Sequence, residues 1–524
     1  MGWFTLLGIL LTVLLPDDPA ARQPASLKEQ RRAAANRPRR LLLDNDGNDV
    51  VTMKALTAQE FLAQRTAALA GSKVDCIFYC STATFGLSTR PSKVWQPRDY
   101  RASGRQAYSV AEMEAAGLDS LKLVAQFGKQ HGIEVFNSVR MNDVHDHSTR
   151  ADYGPPMFKH NRFKQAHPEW LLGTVEKRSR TGGWSAVNYA VPEVRDLAFA
   201  YIEESCRQYE IDGIALDFFR HPVFFPSTFA GKAATDVERA AMTDLLRRVR
   251  RLTEEVGTRR GRPLLVSVRV PDSATYCQAI GLDLEKWLAD DLVDLLVVSG
   301  YFQLNDWRQS VDLGKKYGVK VYASLDESRI KDTEGLRQRS TPEAYRGRAA
   351  AAWGAGVDGV LLFNFSDASS PLMQELGDAT KLRTLDKDSF ASVRGIVGAN
   401  GGNLPFQPYQ KAETLNPANP KKLSPGKTVS ARLRLGDVSD AELRRTVRLR
   451  FRPTLEPAAV QVNVNGQLLT PLTREGEWLE AIPAPTLLKA GINTVEISLV
   501  QGQQPIHWLD LMVREQRGNK APAR

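Results

Sequence analysis

The sequence lacks the features that define several large protein classes. It has only four cysteines in 524 residues, and their spacing matches neither a disulfide framework nor a metal site, so we expect Cys76, Cys80, Cys206 and Cys277 to be small core residues. No glycine-rich phosphate loop follows any apolar run, which argues against a nucleotide-binding domain. No basic run with interleaved aromatic residues occurs, which argues against a nucleic-acid partner.

The overall composition is that of an ordinary soluble protein. Apolar residues make up 42% of the chain and charged residues 25%, and the net charge of +10 is modest for this length. A chain of this size predicts about two to four domains.

The N-terminus carries the pattern of an export signal. MGWFTLLGILLTVLL is short for a membrane span and is followed by small residues suited to cleavage. We predict an export signal over 1–22, a flexible lead-in over 23–39, and a periplasmic or extracellular protein with no stable membrane insertion after cleavage. No Lys or Arg precedes the apolar run, so an uncleaved anchor or an extended N-terminus stays open.

Between residues 40 and 365, short apolar runs alternate with helical stretches. This alternation is typical of parallel strands that are connected by helices. The runs lie at 41–46, 76–80, 133–143, 211–219, 264–270, 293–300, 319–327 and 357–365. Eight such units predict a (β/α)8 TIM barrel over 40–400, with a doubly wound open sheet as the alternative.

The last part of the chain has a different pattern, with short alternating strands and turn signals. It predicts a small C-terminal β-sandwich, with Asn465 and Gly466 forming a hairpin turn. We place the linker, the sandwich and a tail at 401–424, 425–515 and 516–524. Three aromatic residues are predicted either in the sandwich core or on a sugar-stacking platform: Phe451, Trp478 and Trp508.

In a TIM barrel, the side chains at the C-terminal strand ends share one pocket. These side chains form a ring of carboxylates, arginines, histidines and a tyrosine: Asp44, Asp46, Arg140, Asn142, Asp143, His145, His147, Asp217, Arg220, His221, Arg269, Asp272, Tyr301, Asp326, Glu327 and Asn364. Paired carboxylates across a pocket are what glycoside cleavage requires, because one protonates the leaving oxygen and the other attacks or activates water.

Asp217 is the first candidate for a catalytic carboxylate, because it directly ends the apolar run IDGIAL. It would otherwise cap a helix or pair with Arg220. The sequence leaves open whether Asp326, Glu327 or Asp272 is its partner, since strand alternation prevents Asp326 and Glu327 from both pointing inward. The predicted substrate contacts are Arg140, Asp143, His145, Trp184, Asn188, Arg220, Asp272, Tyr301 and Asn364.

The segment DVHDHS, residues 143–148, allows a metal interpretation as well. His145 and His147 share a face if this segment is extended, and with Asp143 they would form the site of a metal-dependent esterase or deacetylase. They would equally orient a sugar hydroxyl, so we predict no metal and no cofactor. Aromatic residues in or beside the same loop would either stack on a sugar or pack the loop onto the barrel: Trp170, Trp184 and Tyr189.

Two segments resemble the bacterial glycosyl-hydrolase-like family 10 proteins. WSAVNYAVPEVRDLAFAYIEESCRQYEIDGIALDFFRHP contains an Asn-bearing loop, a Pro-Glu-Val-Arg helix start and an Asp-Gly-Ile strand that ends in Asp. IGLDLEKWLADDLVDLLVVSGYF has a tryptophan helix before a Val-Asp strand. The resemblance covers roughly 40–382. It implies an exported (β/α)8 hydrolase acting on carbohydrate, with Asp217 at the catalytic position and Asn188 as the loop asparagine.

One departure from that family concerns the residues after Asp217. Many members carry a second acid there, whereas this chain has Phe218, Phe219 and Arg220, which points to a different substrate. We predict an exported glycoside hydrolase that cleaves O-glycosidic bonds of a poly- or oligosaccharide. The alternatives are a non-catalytic carbohydrate-binding barrel and the metal-dependent enzyme described above. The arginines are compatible with an acidic sugar but also bind neutral hydroxyls.

Overall fold

The computed structural model describes residues 26–52, 57–98, 109–148, 154–179, 183–394, 404–405, 407–500 and 505–517. The predicted export signal over 1–22 lies outside these residues. Within the described ranges, no helix is both long enough and apolar enough to cross a membrane.

Eight parallel strands close into a barrel, which confirms the predicted TIM barrel and excludes the open sheet. The strands are β1 (Leu41–Asn45), β2 (Cys76–Cys80), β3 (Glu134–Arg140), β4 (Gly213–Asp217), β5 (Leu265–Val270), β6 (Leu295–Val298), β7 (Lys320–Asp326) and β8 (Gly359–Phe363). Each strand pairs with its neighbours in the chain, and β8 closes onto β1. All four cysteines are buried and unbonded, as predicted.

Helices lie between the barrel strands, and further helices precede the first strand and follow the last one. They are α1 (Leu27–Ala35), α2 (Asn48–Thr52), α3 (Ala58–Arg65), α4 (Val110–Ala115), α5 (Ser120–His131), α6 (Gly154–His160), α7 (Arg162–Ala166), α8 (Pro192–Gln208), α9 (Pro226–Phe229), α10 (Asp236–Arg260), α11 (Ala274–Ala279), α12 (Leu284–Ala289), α13 (Trp307–Tyr317), α14 (Thr333–Arg339), α15 (Pro342–Ala355) and α16 (Ala379–Arg383). α8 begins at Pro192, as the sequence predicts.

The segment predicted as a flexible lead-in contains the ordered helix α1. Ser26 caps this helix and forms a capping box with Glu29. Arg31 is buried, and its Nη1 lies 2.6 Å from Asp294 Oδ1, just before β6. This buried ion pair ties the segment to the barrel.

The strand register shows which side chains face the barrel interior. A Cβ on Gly213 would lie 2.4 Å from the Phe136 ring, so this glycine allows close approach inside the barrel. Because side chains alternate along a strand, Asp217 faces the same side as Gly213. Arg140 and Arg269 flank Asp217 in register and therefore also point inward.

The C-terminal strands form two antiparallel sheets, which confirms the predicted sandwich. Its strands are β9 (Lys387–Phe390), β10 (Lys421–Leu423), β11 (Thr428–Leu435), β12 (Leu443–Arg452), β13 (Val460–Val464), β14 (Gln467–Leu468), β15 (Thr473–Glu475), β16 (Trp478–Ala481), β17 (Gly491–Leu499) and β18 (Ile506–Arg517). One sheet has the order β9-β18-β12-β16-β15, with β10 also on β18, and the other β11-β17-β13-β14. The predicted hairpin turn joins β13 to β14, with positive φ at Asn465 and Gly466.

The three sandwich aromatics lie in core positions rather than on a platform. Trp508 is fully buried, and Phe451 and Trp478 are 3% and 4% exposed. Trp478 packs with Phe390 and Met512. A stacking platform would need exposed ring faces, so these residues do not form one.

The barrel and the sandwich are joined by buried contacts. β9 comes from within the range predicted for the barrel, yet it pairs with β18 of the sandwich. Arg339 on α14 is buried and lies 2.5 Å from Asp510 on β18. The two parts therefore share a polar interface as well as a sheet.

Candidate functional site

A cleft lies over the C-terminal ends of the barrel strands. Its outer part measures about 640 Å³ and its inner part about 210 Å³. Asp46, Asn48, Arg329 and Asn364 line both parts, so they form one continuous cleft. The outer volume falls within the usual range of ligand sites, roughly 300–1,000 Å³.

Asp46 is the carboxylate that lines both parts of the cleft. It forms an ion pair with Arg65 of α3. Burial alone would raise the pKa of Asp46, but the positive charges of Arg65 and Arg140 outweigh it and hold that pKa below its usual value. Asp46 is therefore a charged group at neutral pH.

Asp217 faces the barrel interior below the cleft. Its Oδ1 accepts hydrogen bonds from the backbone N–H groups of Phe219 and Arg220, both at 2.9 Å. Its Oδ2 lies 3.5 Å from Arg269 Nη1 and has no hydrogen-bond partner among the described residues. Asp217 thus caps the turn after β4 with one oxygen, and the Arg220 guanidinium does not hold it.

Asp44 is the second inward-facing carboxylate. It lies on β1, two residues before Asp46 in the chain. Burial raises the pKa of Asp44 to about 7, while Arg269 and Arg140 lower it and Asp217 raises it. Its Oδ1 is buried and accepts no hydrogen bond within the described ranges. Asp44 therefore carries a proton for much of the time near neutral pH.

A hydrogen-bond chain holds Arg220 at the wall of the inner cleft. Asp143 Oδ1 contacts His145 Nδ1, and His145 Nε2 lies 2.7 Å from Arg220 Nη2. A guanidinium only donates, so Nε2 must accept and the imidazole is neutral, with its proton on Nδ1. Burial lowers the pKa of His145, in agreement with this neutral form.

The residues whose ligand atoms cluster in the structure differ from the predicted metal site, because His221 takes the place of His147. Asp143, His145 and His221 place ligand atoms within 4.8 Å of one another, whereas His147 bonds the Val144 carbonyl through Nδ1. The positive charges of the neighbouring Arg140 and Arg220 disfavour a divalent cation at this site. Arg220 also donates to His145 Nε2, an atom that a metal ion would need as a ligand. We interpret Asp143 and His145 as a hydrogen-bonded relay that orients the guanidinium of Arg220.

The two acids at the end of β7 have different environments. Asp326 is buried, and its carboxylate lies 2.5 Å from Arg394 Nη2 and 3.3 Å from Arg348 Nη2. Glu327 is 48% exposed, pairs with Arg329 at 2.7 Å and lines the outer cleft. Asp326 therefore has a structural partner set, and Glu327 lies at the rim.

Tyr301 and Asn364 lie together at the mouth. The Tyr301 hydroxyl accepts from Asn364 Nδ2 at 2.8 Å and from Arg329 Nη2 at 3.0 Å. Three guanidiniums lie within 4.9 Å of its ring centre: those of Arg220, Arg329 and Arg394. The ring is 1% exposed, so Tyr301 supports arginines and offers no open face to a sugar.

Besides Asp217, Asp326, Asp143 and Tyr301, which lie beneath or beside the cleft, three predicted site residues are absent from its lining in the described part of the chain. Asp272 accepts the backbone N–H groups of Leu304 and Asn305 and so fixes that loop; burial raises its pKa to about 7. Asn188 accepts the N–H of Ala190 in the turn before α8. Trp184 is 7% exposed and packs edge-on against Phe158, with ring centres 4.6 Å apart.

The other two loop aromatics also pack. Tyr189 is fully buried, and its hydroxyl donates to the Met141 carbonyl. Trp170 stacks on His167, with ring centres 3.8 Å apart. The packing alternative therefore holds for all three aromatics of this loop.

Strained backbone is concentrated at the strand ends that form the site. His221, Ser299 and Asn364 follow β4, β6 and β8, and have φ values of 57°, 70° and 54°. Left-handed backbone is unfavourable for side chains other than glycine, and such strain tends to be retained at functional positions.

The comparisons with known proteins find similar structures only. No family model matches the sequence, and no curated protein matches it. A cycloisomaltooligosaccharide glucanotransferase from Paenibacillus sp. shares 9% identity at a TM-score of 0.37, over 91% of this chain and 57% of that chain. Alpha-L-fucosidase isoenzyme 2 from Paenibacillus thiaminolyticus shares 13% at 0.40, over 66% and 48%.

A third similar structure is the PgaB (BpsB) glycoside hydrolase domain from Bordetella bronchiseptica, with 12% identity and a TM-score of 0.38, over 64% of this chain and 98% of that chain. This chain spans about half the length of the first two. The resemblance to glycosyl-hydrolase-like family 10 stays a prediction, since no family model matches.

Asp44 and Arg269 lie at strand ends, as predicted, but had no predicted role. Asp44 follows the apolar run LLL as Asp217 follows IDGIAL, and that parallel was the available signal. Three further arginines of the cleft had no such signal, because they come from a helix and from loops: Arg65, Arg98 and Arg329.

Proposed function

We propose that this protein is a glycoside hydrolase, with Asp44 as the general acid and Asp217 as the second carboxylate. The observation that carries this proposal is the difference between the two carboxyl environments. The two inward-facing carboxyl groups at the ends of β1 and β4 share one arginine, Arg269, but backbone N–H groups hold Asp217, whereas burial raises the pKa of Asp44 to about 7. Unequal carboxyl groups of this kind are what acid and nucleophile roles require.

Asp44 suits the acid role, because a general acid must hold its proton near the working pH and then release it to the leaving oxygen. Asp217 suits the charged role, because two backbone N–H groups and Arg269 stabilise negative charge on it. Each carboxyl group also has one buried oxygen without a hydrogen bond in the described part of the chain. A substrate oxygen or a water would satisfy these atoms.

The experiment is reducing-sugar release by the purified protein on a panel of neutral, uronic and sulfated polysaccharides. Asp44→Asn and Asp217→Asn are expected to lower the rate by at least about 10²-fold, since each removes a catalytic proton or charge while keeping the shape. Glu285→Gln is the matched control, because Glu285 is half-exposed on α12 and its side-chain partners among the described residues are Lys316 and Tyr317.

Equal rates in wild type and both site variants would remove these carboxyl groups from catalysis. Absence of hydrolysis across the panel, with the fold intact, would overturn the hydrolase and favour a carbohydrate-binding barrel.

A further inference from the structure

The cleft has an excess of positive charge. Five arginines and two carboxylates line it: Arg65, Arg98, Arg140, Arg220, Arg329, Asp46 and Glu327. Both carboxylates already have a partner within the cleft, since Asp46 pairs with Arg65 and Glu327 with Arg329. Arg140 and Arg220 line the inner part, where the carboxylate of the lining, Asp46, is already paired with Arg65.

Arg220 shows this imbalance most clearly. Its side chain is buried, and no carboxylate among the described residues lies within 4 Å of it. Its contacts are neutral: His145 Nε2 at 2.7 Å and the Tyr301 ring at 4.9 Å. Its Nε makes no hydrogen bond in the described part of the chain. A buried cation without a counter-charge is costly, so a bound anion would offset that cost.

Arg140 adds a second cation beside it. Its carboxylate contact is Asp143, at 3.4 Å from Nη1. The other oxygen of Asp143 already binds His145, through both the backbone N–H and the ring. One carboxylate thus serves Arg140 and the relay that holds Arg220, which leaves the inner cleft positive.

We propose that the cleft takes an anionic saccharide, whose carboxylate or sulfate group binds between Arg140 and Arg220. This inference rests on the proposed function for the saccharide part and names its substrate class. Guanidinium groups bind carboxylate and sulfate oxygens through paired N–H bonds, which neutral hydroxyls do not match. His145 is the positioning residue, because its neutral imidazole fixes the guanidinium of Arg220 without neutralising its positive charge.

The first test measures binding by calorimetry at low and high salt, with two matched pairs of polymers. Polygalacturonate is compared with its methyl ester to report a carboxylate, and dextran sulfate with dextran to report a sulfate. We expect one charged member to bind more tightly than its neutral counterpart. We also expect that binding to weaken with salt, because screening reduces charge attraction.

Variants connect the binding to the two arginines. Arg220→Gln and Arg140→Gln are each expected to weaken binding of the charged polymer by roughly ten- to a hundredfold, the range for a lost charged hydrogen bond. Arg220→Lys should fall between wild type and Arg220→Gln, since it keeps charge but loses the planar fork. Arg337→Gln is the control, because Arg337 is 65% exposed on α14 and outside the cleft.

The outcomes separate this inference from the proposed function. Equal binding of charged and neutral members, no binding of either charged polymer at low salt, or unchanged affinity in both glutamine variants would overturn the anionic substrate. Hydrolysis of a neutral polymer that Asp217→Asn abolishes, without charged binding, would leave the hydrolase standing alone. Tight charged binding with no reducing-sugar release would support the anion site and overturn the hydrolase.

Discussion

Replacing Asp44 by asparagine is expected to stabilise the protein at neutral pH. Burial raises the folded-state pKa of Asp44 from 3.8 to about 7. As pH rises from about 4 to about 7, Asp44 loses its proton in the unfolded chain but keeps it in the folded protein. Wild type therefore loses stability from about pH 4 to about pH 7 and levels off above that. The introduced asparagine does not titrate, so the variant escapes this loss.

The size of the effect follows from the gap in pKa. One pKa unit corresponds to about 1.4 kcal/mol, so the advantage of Asp44→Asn is about 2 kcal/mol at pH 5 and about 4 kcal/mol above pH 7. Urea unfolding of both proteins at pH 5, 6, 7 and 8, at constant ionic strength, measures this advantage as a shift in the midpoint.

Asp46→Asn is the matched control with the opposite sign. Burial raises the pKa of Asp46, but Arg65 and Arg140 outweigh it and lower that pKa overall. The charged form therefore adds stability above the unfolded pKa, and that stability is lost as pH falls. The variant should be less stable than wild type at neutral pH. An Asp44→Asn advantage that does not grow with pH, or a loss of stability at pH 8, would refute the reasoning.

Two further predictions concern Asp326 and the pH profile. Asp326→Ala leaves Arg348 and Arg394 largely buried without their counter-charge, and should lower the free energy of unfolding by about 3–5 kcal/mol in urea. A loss of activity at unchanged stability would instead give Asp326 a catalytic role. With Asp44 as the acid, kcat/KM measured from pH 5 to pH 9 should fall as pH rises through about 7, and a flat alkaline limb would contradict the assignment.

The barrel was predictable because its signal is local and repeated. Each strand is a short apolar run, each is followed by helical periodicity, and the count of eight selects closure over an open sheet. The hairpin at Asn465 and Gly466 was predictable for a similar reason, since a two-residue turn with positive φ has a strong residue preference. Helix α1 was missed although Ser26 and Glu29 form a local capping box, and its packing depends on an ion pair between Arg31 and the distant Asp294.

The strand-end positions of the site were predictable, but the partners of each side chain were not. The environment of Asp326 depends on Arg348 and Arg394, which follow it by 22 and 68 residues. Arg220 and His145 are 75 residues apart. A single sequence places charges at the mouth of the barrel, but only the packed structure shows which of them neutralise one another.

Anion binding and protonation of Asp44 are coupled through Arg140. In the free protein, the charges of Arg269 and Arg140 lower the pKa of Asp44, against the larger effect of burial. An anionic group bound beside Arg140 offsets part of that positive field, so the pKa of Asp44 rises in the complex. The pH profile of kcat reports the complex, and that of kcat/KM reports the free enzyme. The apparent pKa of the alkaline fall should therefore be higher for kcat than for kcat/KM. A neutral substrate supplies no such charge, so an anionic substrate would help to keep the acid that cleaves it protonated.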